Sequence, residues 1–281
     1  MSETELKLGE VAAELIRDGK VAYVIGYEKG SIADRSRPCF VTTPQDSTKL
    51  VWNEHCAVSL PKYLIGTKDK VGIVVKGCDG RAIVELIKDK QVDRDKVVVI
   101  TPPCLGVKQT TQGSSEEILA RYCERCPERT SPISDIQITD GSRKADAVQK
   151  PKRGTGSTKR SEGPASWKEE FQKCIRCLAC IKSCPLCYCT ECELDGSMSS
   201  LVSKLRIPSE LPTFHLVRAM HMAGRCVGCG ACEAACPADI PLTDLYARIN
   251  DEVERIFGYV PGIDINEVAP VELPRPKVEG T

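Results

Sequence analysis

The chain has 281 residues, which predicts about two domains if a domain takes roughly 150 residues. Lysine plus arginine and aspartate plus glutamate both number 39, so the formal net charge is zero, which argues against a dedicated nucleic-acid-binding protein. With 41% hydrophobic and 28% charged residues, the composition is that of a folded chain rather than a disordered one. The aliphatic runs are too short to span a bilayer, and the acidic, amphipathic N-terminus does not have the pattern of a signal peptide.

Cysteine is the unusual residue of this sequence, with 17 copies against three histidines. The odd number, the absence of an export signal and the clustering in C-x-x-C patterns argue against disulfide bonds. Thiolates that bind metal in a reducing compartment are the better interpretation. We therefore expect a cytoplasmic metal-binding protein.

The first half of the chain has the pattern of an α/β domain. Residues 3–18 carry a one-sided apolar pattern followed by glycine, which predicts a helix and its end. Short apolar runs predict buried strands at residues 21–25, 40–41, 71–75 and 97–100. An amphipathic segment with Asp79 at the N-cap position separates the last two strands, which predicts a parallel, right-handed βαβ unit. Residues 1–140 are thus predicted to form an α/β domain.

The second half is organised differently. Residues 141–166 are rich in Gly, Ser, Lys and Arg and lack apolar periodicity, which indicates a flexible linker. Its basic residues could attract an acidic partner or RNA, but a plain tether is the expected role. Residues 167–260 are predicted to form a cysteine-dense α+β domain, and residues 261–281 an extended tail.

The spacing C-x2-C-x2-C-x3-C-P occurs twice, over residues 174–185 and 226–237, and is typical of two-cluster bacterial ferredoxins. Three thiolates of one loop reach one cubane, while the fourth cysteine points to the other. The predicted ligands of one [4Fe–4S] cluster are therefore Cys174, Cys177, Cys180 and Cys236. Those of the second cluster are Cys226, Cys229, Cys232 and Cys184. A pair of zinc knuckles is the alternative, but zinc rarely uses this three-plus-one repeat.

Two predicted helices flank the second motif. Residues 213–223 place Phe214, Val217 and Met220 on one side. Thr243 is expected to cap another helix, whose apolar stripe comprises Leu245, Ile249, Val253 and Ile256. We expect both stripes to pack in the core rather than to dock on a partner subunit. His215 and His221 lie on different faces of the first helix and are not expected to share a metal.

Three further cysteines, Cys187, Cys189 and Cys192, lie between the two motifs. They could bind an additional cluster or a zinc ion, with Cys56 or Cys39 as a fourth ligand. The preferred interpretation is that they are buried thiols beside the two predicted clusters.

A third candidate site lies in the α/β domain. Cys78 and Cys104 each follow one of the two strands of the predicted βαβ unit, and parallel strands end at the same edge of a sheet, where ligands usually bind. A C-x2-C pair, Cys123 and Cys126, follows a short helical segment and can fold back to that edge. The N-terminus of the helix after Cys78 would favour an anionic cluster. A structural zinc ion and ordinary buried cysteines are the alternatives.

The residues around these cysteines resemble a known family. Lys-Gly-Cys-Asp at 76–79, Pro-Pro-Cys-Leu-Gly at 102–106 and Cys-Glu-Arg-Cys-Pro at 123–127, with Asp135-Ile136 behind them, are similar to the β-subunit family of coenzyme F420-reducing hydrogenases and formate dehydrogenases. The resemblance covers residues 20–140. It implies a [4Fe–4S] cluster on Cys78, Cys104, Cys123 and Cys126, and it makes FAD a possible second cofactor with no ligands assigned.

The second half also resembles known proteins. Its stretch from Arg218 to Cys226 is similar to iron–sulfur subunits of formate dehydrogenase and heterodisulfide reductase assemblies. These features predict an electron-transfer subunit of anaerobic metabolism with about three [4Fe–4S] clusters. No catalytic residues are assigned. Its partners would be formate dehydrogenase, hydrogenase or heterodisulfide reductase-like subunits. The alternatives are an FAD-containing subunit that reacts with a deazaflavin or nicotinamide coenzyme, and a zinc scaffold protein.

Overall fold

The computed structural model describes residues 2–32, 35–110, 116–124, 126, 129–139, 164, 166–195, 202, 203 and 205–270. Apart from positions 164 and 166, the predicted linker lies outside the described residues, as does the segment 271–281 of the predicted tail.

The described strands belong to two sheets. They are Val24–Lys29 (β1), Ser36–Val41 (β2), Val71–Val74 (β3), Val97–Thr101 (β4), Lys108–Thr110 (β5), Glu117–Leu119 (β6) and Ile136–Gln137 (β7). The main sheet has the order β2-β1-β3-β4-β7, in which β2 runs antiparallel to β1 and the other neighbours are parallel. β5 and β6 form a separate antiparallel pair.

The described α-helices are Glu3–Arg17 (α1), Gly77–Lys88 (α2), Arg121–Glu124 (α3), Trp167–Gln172 (α4), Ala179–Ser183 (α5), Leu211–His221 (α6), Ala231–Ala234 (α7) and Leu242–Phe257 (α8). Short 3-10 turns lie at Gln45–Lys49, Pro61–Leu64, Arg94–Lys96 and Pro208–Glu210. Across the described ranges, no helix has the length and continuous apolar character needed to span a membrane.

The predicted βαβ unit is confirmed by β3, α2 and β4. Val71 of β3 lies opposite Val97 of β4 in parallel register. All four residues of β3 are buried, as expected for a central parallel strand. The predicted N-cap is wrong: α2 begins after Lys76, and Asp79 lies in its first turn, where its carboxylate accepts a hydrogen bond from the Lys76 amide at 3.3 Å. The helix starts two residues before Asp79, because the backbone is extended at Lys76 and helical from Gly77 onward.

The second half contains the predicted helices with shifted ends. α8 is capped by Pro241, not by Thr243, whose amide and hydroxyl instead donate to the Glu233 carboxylate. Thr243 is the second residue of α8, so it lies past the position from which a side chain caps the helix. The core-facing prediction holds for Phe214 and Leu245 but is wrong for the ends of both stripes, where Met220 and Ile256 are more than half exposed.

The two halves pack against each other. One contiguous apolar core includes Leu8 and Ile73 of the first half and Phe214 and Leu245 of the second. Polar contacts cross the same boundary, because Arg81 on α2 donates two hydrogen bonds to the carbonyl of Pro261 at 3.1 and 2.8 Å. The beginning of the predicted tail is therefore held against α2.

Candidate metal centres

The two motif loops share one backbone conformation. In the first loop Arg176 and Leu178 have φ angles of 60° and 61°, and in the second Gly228 and Gly230 have 68° and 73°. The two left-handed residues, one on each side of the middle cysteine, coil each loop tightly and bring backbone amides to cysteine sulfurs. The Arg176 amide donates to the Cys174 sulfur at 3.4 Å. The loop therefore directs backbone N–H groups toward the cysteine sulfurs, which is an environment that suits an anionic cluster.

In the first predicted set, Cys174, Cys177 and Cys236 lie close enough to Cys180 to influence its thiol. Burial raises the pKa of Cys180 to about 11, and the neighbouring thiolates of Cys174, Cys236 and Cys177 add to that rise. Cys236 comes from the second motif, so the two motifs contribute to one site. Cys177 is exposed, which places one edge of this set at the protein surface.

The second set lines a cavity that is partly open to solvent. Its wall includes all four predicted ligands, Cys184, Cys226, Cys229 and Cys232. Burial raises the pKa of Cys226 to about 11, and the nearby Cys184 thiolate contributes to that rise. Thiols with raised pKa values in a shared cavity are stabilised as thiolates when a cationic metal core binds.

The third set lies at the carboxyl edge of the main sheet, where α2 begins. Cys78 is in the first turn of α2, and Cys123 lies in α3. Burial raises the pKa of Cys123 to about 11, with further contributions from the neighbouring Cys126 and Cys104. The Val107 amide donates to the Cys123 sulfur at 3.2 Å. Cys104 and Cys126 therefore lie near Cys123, and Cys126 also lies near Cys78.

The second and third sets lie side by side. Burial and the adjacent Asp79 raise the pKa of Cys78, and Cys229 of the second set contributes to the same shift. The ring of Tyr122 rests on Gly230, where a Cβ atom would come within 2.2 Å of it. Because Tyr122 precedes Cys123 and Gly230 follows Cys229, this contact joins the two cysteine sites directly.

The extra cysteines do not form one group with Cys39 and Cys56. Cys187 donates a hydrogen bond to Cys184, which lowers the pKa of Cys184 to about 6. Cys39 lies on β2 opposite Gly26, and the Cys56 thiol contacts the Val51 carbonyl at 3.9 Å.

Cys187 therefore fits the prediction of a thiol beside a cluster site. Cys189 is exposed and Cys192 is partly buried. In the described part of the chain, no three Cys, His, Asp or Glu side chains are grouped to hold a single metal ion.

Sequence reasoning missed two cations near the motif loops, buried Arg218 and partly exposed Lys62. Arg218 on α6 donates to the Cys180 carbonyl at 2.8 Å, and Lys62 donates to the Lys182 carbonyl at 2.6 Å. Helical spacing could have revealed Arg218, because it follows Leu211 by seven positions and Phe214 by four, on the buried face of α6. Nothing near Lys62 in the sequence indicates its contact, which joins residues 120 positions apart.

Comparison with known proteins supports this picture. Residues 173–241 match the family model of the 4Fe-4S dicluster domain, so a 4Fe-4S dicluster domain is present. The F420-dependent formate dehydrogenase subunit beta of Methanocaldococcus jannaschii is 38% identical over 105 residues, which cover 37% of this chain and 27% of that protein. The F420-dependent formate dehydrogenase 1 subunit beta of Methanococcus maripaludis is 25% identical over 347 aligned positions, covering 89% of this chain and 88% of that protein.

The chain is similar to β subunits of F420-dependent formate dehydrogenases. The resemblance predicted from the sequence is confirmed. The domain match and these relatives support an iron–sulfur electron-transfer subunit. The match to the first relative spans little more than a quarter of that protein's length.

Proposed function

We propose that this chain is an electron-transfer subunit of a formate dehydrogenase-type complex and holds three [4Fe–4S] clusters. The observation that carries the proposal is the twice-repeated C-x2-C-x2-C-x3-C-P spacing, together with a cavity lined by cysteines of both motifs. The 4Fe-4S dicluster domain and the formate dehydrogenase relatives support it. The partners would be a catalytic subunit that oxidises its substrate and a flavin- or heterodisulfide reductase-like acceptor.

Each proposed cluster takes thiolates from separate segments. The first uses Cys174, Cys177, Cys180 and Cys236. The second uses Cys226, Cys229, Cys232 and Cys184, which line the cavity. The third uses Cys78, Cys104, Cys123 and Cys126. The cavity, the inward amides and the buried thiols fit a thiolate-ligated iron–sulfur cluster, which is anionic as a whole.

When bound, such clusters accept and release one electron at a time with little movement of the protein. The chain's own residues supply ligands, exclude water and offer N–H groups to the sulfurs. The arrangement supports a path from the third site through the second to the first, because Tyr122 and Gly230 join the third and second sites. Exposed Cys177 places the first site where a partner can exchange electrons.

Metal analysis of the full chain, purified without oxygen, tests the proposal. Three clusters require about twelve iron and twelve sulfide per chain, because each [4Fe–4S] core contains four of each. About eight iron and eight sulfide per chain would mean that the third cluster is absent. Zinc in place of iron would overturn the whole proposal. A flavin band that survives desalting would favour the FAD-containing alternative.

Ligand substitutions test the assignment to sites. We expect Cys229→Ser to remove one ferredoxin-type signal in electron paramagnetic resonance and to keep the third cluster. Cys104→Ser should have the reverse effect, because its neighbours belong to the third set. Loss of the same signal in both variants would show that the ligand sets are wrong.

A further inference from the structure

Arg218 is a buried cation for which the proposed function gives no role. It lies on the inner face of α6 and is only 2% exposed. Its guanidinium lies over the ring of Tyr246, 5.0 Å from the centroid. Within the described residues no carboxylate forms a salt bridge with it. A buried charge without a counter-ion is costly, so its placement calls for an anionic partner.

The Arg218 guanidinium has more hydrogen-bond donors than acceptors around it. One Nη group donates to the carbonyl of Cys180 at 2.8 Å. The Nε and the other Nη are buried and have no hydrogen-bond acceptor among the described residues. Arg218 also lines the cavity that the second cysteine set surrounds. Its unpartnered donors thus lie in the wall of a proposed cluster site.

The position of Arg218 concerns both ferredoxin-type sites. Arg218 donates to the carbonyl of Cys180, which belongs to the first set, and lines the same cavity as Cys232, which belongs to the second. Because a guanidinium keeps its proton in proteins, Arg218 places a fixed positive charge beside both sets.

We propose that Arg218 is a positioning residue that supplies the shared counter-charge of the first and second clusters and raises the reduction potential of both. The inference rests on the proposed function, because clusters must occupy these sites. Reduction adds one negative charge to a cluster, and a fixed buried cation stabilises the reduced form. Its free N–H groups would donate to cluster or cysteine sulfurs.

Redox titration of the full chain without oxygen, followed by electron paramagnetic resonance, tests the inference. Arg218→Gln should shift the midpoint potentials of the first and second clusters to more negative values and should shift the third less. Arg218→Lys keeps the charge and should lie between wild type and Arg218→Gln. The control Arg255→Gln removes the same charge from the exposed end of α8, and we expect no shift.

Unchanged potentials in Arg218→Gln with a full iron content would overturn the inference and leave the proposed function standing. Absence of clusters from the wild-type chain would instead overturn the proposed function.

If the Arg218→Gln variant does not assemble its clusters, a second measurement tests the inference. Arginine labelled with ¹⁵N in its guanidinium should show magnetic coupling to the reduced clusters in the wild type. That coupling should be lost in Arg218→Lys, and identical spectra would reject the inference.

Discussion

Two glycines of the second motif loop have the same backbone conformation but different surroundings. Gly230 and Gly228 both have left-handed φ angles, 73° and 68°. A Cβ at Gly230 would meet the ring of buried Tyr122, whereas at Gly228 it would enter open space. The pair therefore separates the effect of backbone strain from the effect of the contact between the second and third sites.

We predict that Gly230→Ala displaces Tyr122 and loosens α3, while Gly228→Ala does not. Each alanine costs about 1–2 kcal/mol for the left-handed conformation, so any difference comes from the ring. Hydrogen exchange at the Cys123 and Glu124 amides, which bond the Ala120 carbonyl, measures the effect. Equal exchange in the two variants would mean that the contact with Tyr122 does not hold α3.

At the level of the elements, α2 connects the sheet to the segment that follows α8. Glu85 of α2 is 1% exposed and accepts hydrogen bonds from the Tyr259 hydroxyl at 2.9 Å and the Gly262 amide at 2.7 Å. The same carboxylate pairs with Lys88 at 3.1 Å. One buried carboxylate therefore holds the segment against α2.

Glu85→Gln should destabilise the protein by about 1–3 kcal/mol, since it weakens hydrogen bonds to a charged acceptor and removes the carboxylate partner of Lys88. We expect a lower thermal midpoint without oxygen and faster exchange of the Gly262 amide. Glu252→Gln, in an exposed pair with Arg255, is the matched control and should change stability by less than about 0.5 kcal/mol. A similar loss in both variants would contradict the role assigned to Glu85.

The whole molecule depends on contacts between its two halves. Arg121 of α3 pairs with Glu233 of α7 at 2.8 Å, and Arg225 pairs with Asp89 at 2.5 Å. Lys62 adds hydrogen bonds to carbonyls at the end of α5. These polar contacts and the shared apolar core join the two halves.

We predict that the halves stay together after the segment 141–166 is cut with trypsin, for which its seven basic residues offer sites. The two fragments should elute together in size-exclusion chromatography without oxygen. Arg121→Ala should increase their separation, whereas Arg255→Ala, at an exposed site, should not. Fragments that separate in the wild type would show that the contacts are too weak to join the halves.

The sequence alone determined the features that depend on neighbours in the chain. The repeated spacing predicts which thiols share a loop, because three cysteines within seven residues have few ways to fold. Apolar runs around α2 likewise predict the βαβ unit, since one period describes each element. The predicted helix caps at Asp79 and Thr243 were wrong, because both residues lie inside their helices and bond other partners there.

Only the tertiary structure decided how the sites are arranged. The contact of Tyr122 with Gly230 and that of Lys62 with α5 join residues more than 100 positions apart, and no local pattern encodes such pairs. The burial of Arg218 and the exposure of Met220 on the same helix also follow from what packs against α6. A sequence period gives the faces of a helix, but the surrounding chain determines which face is covered.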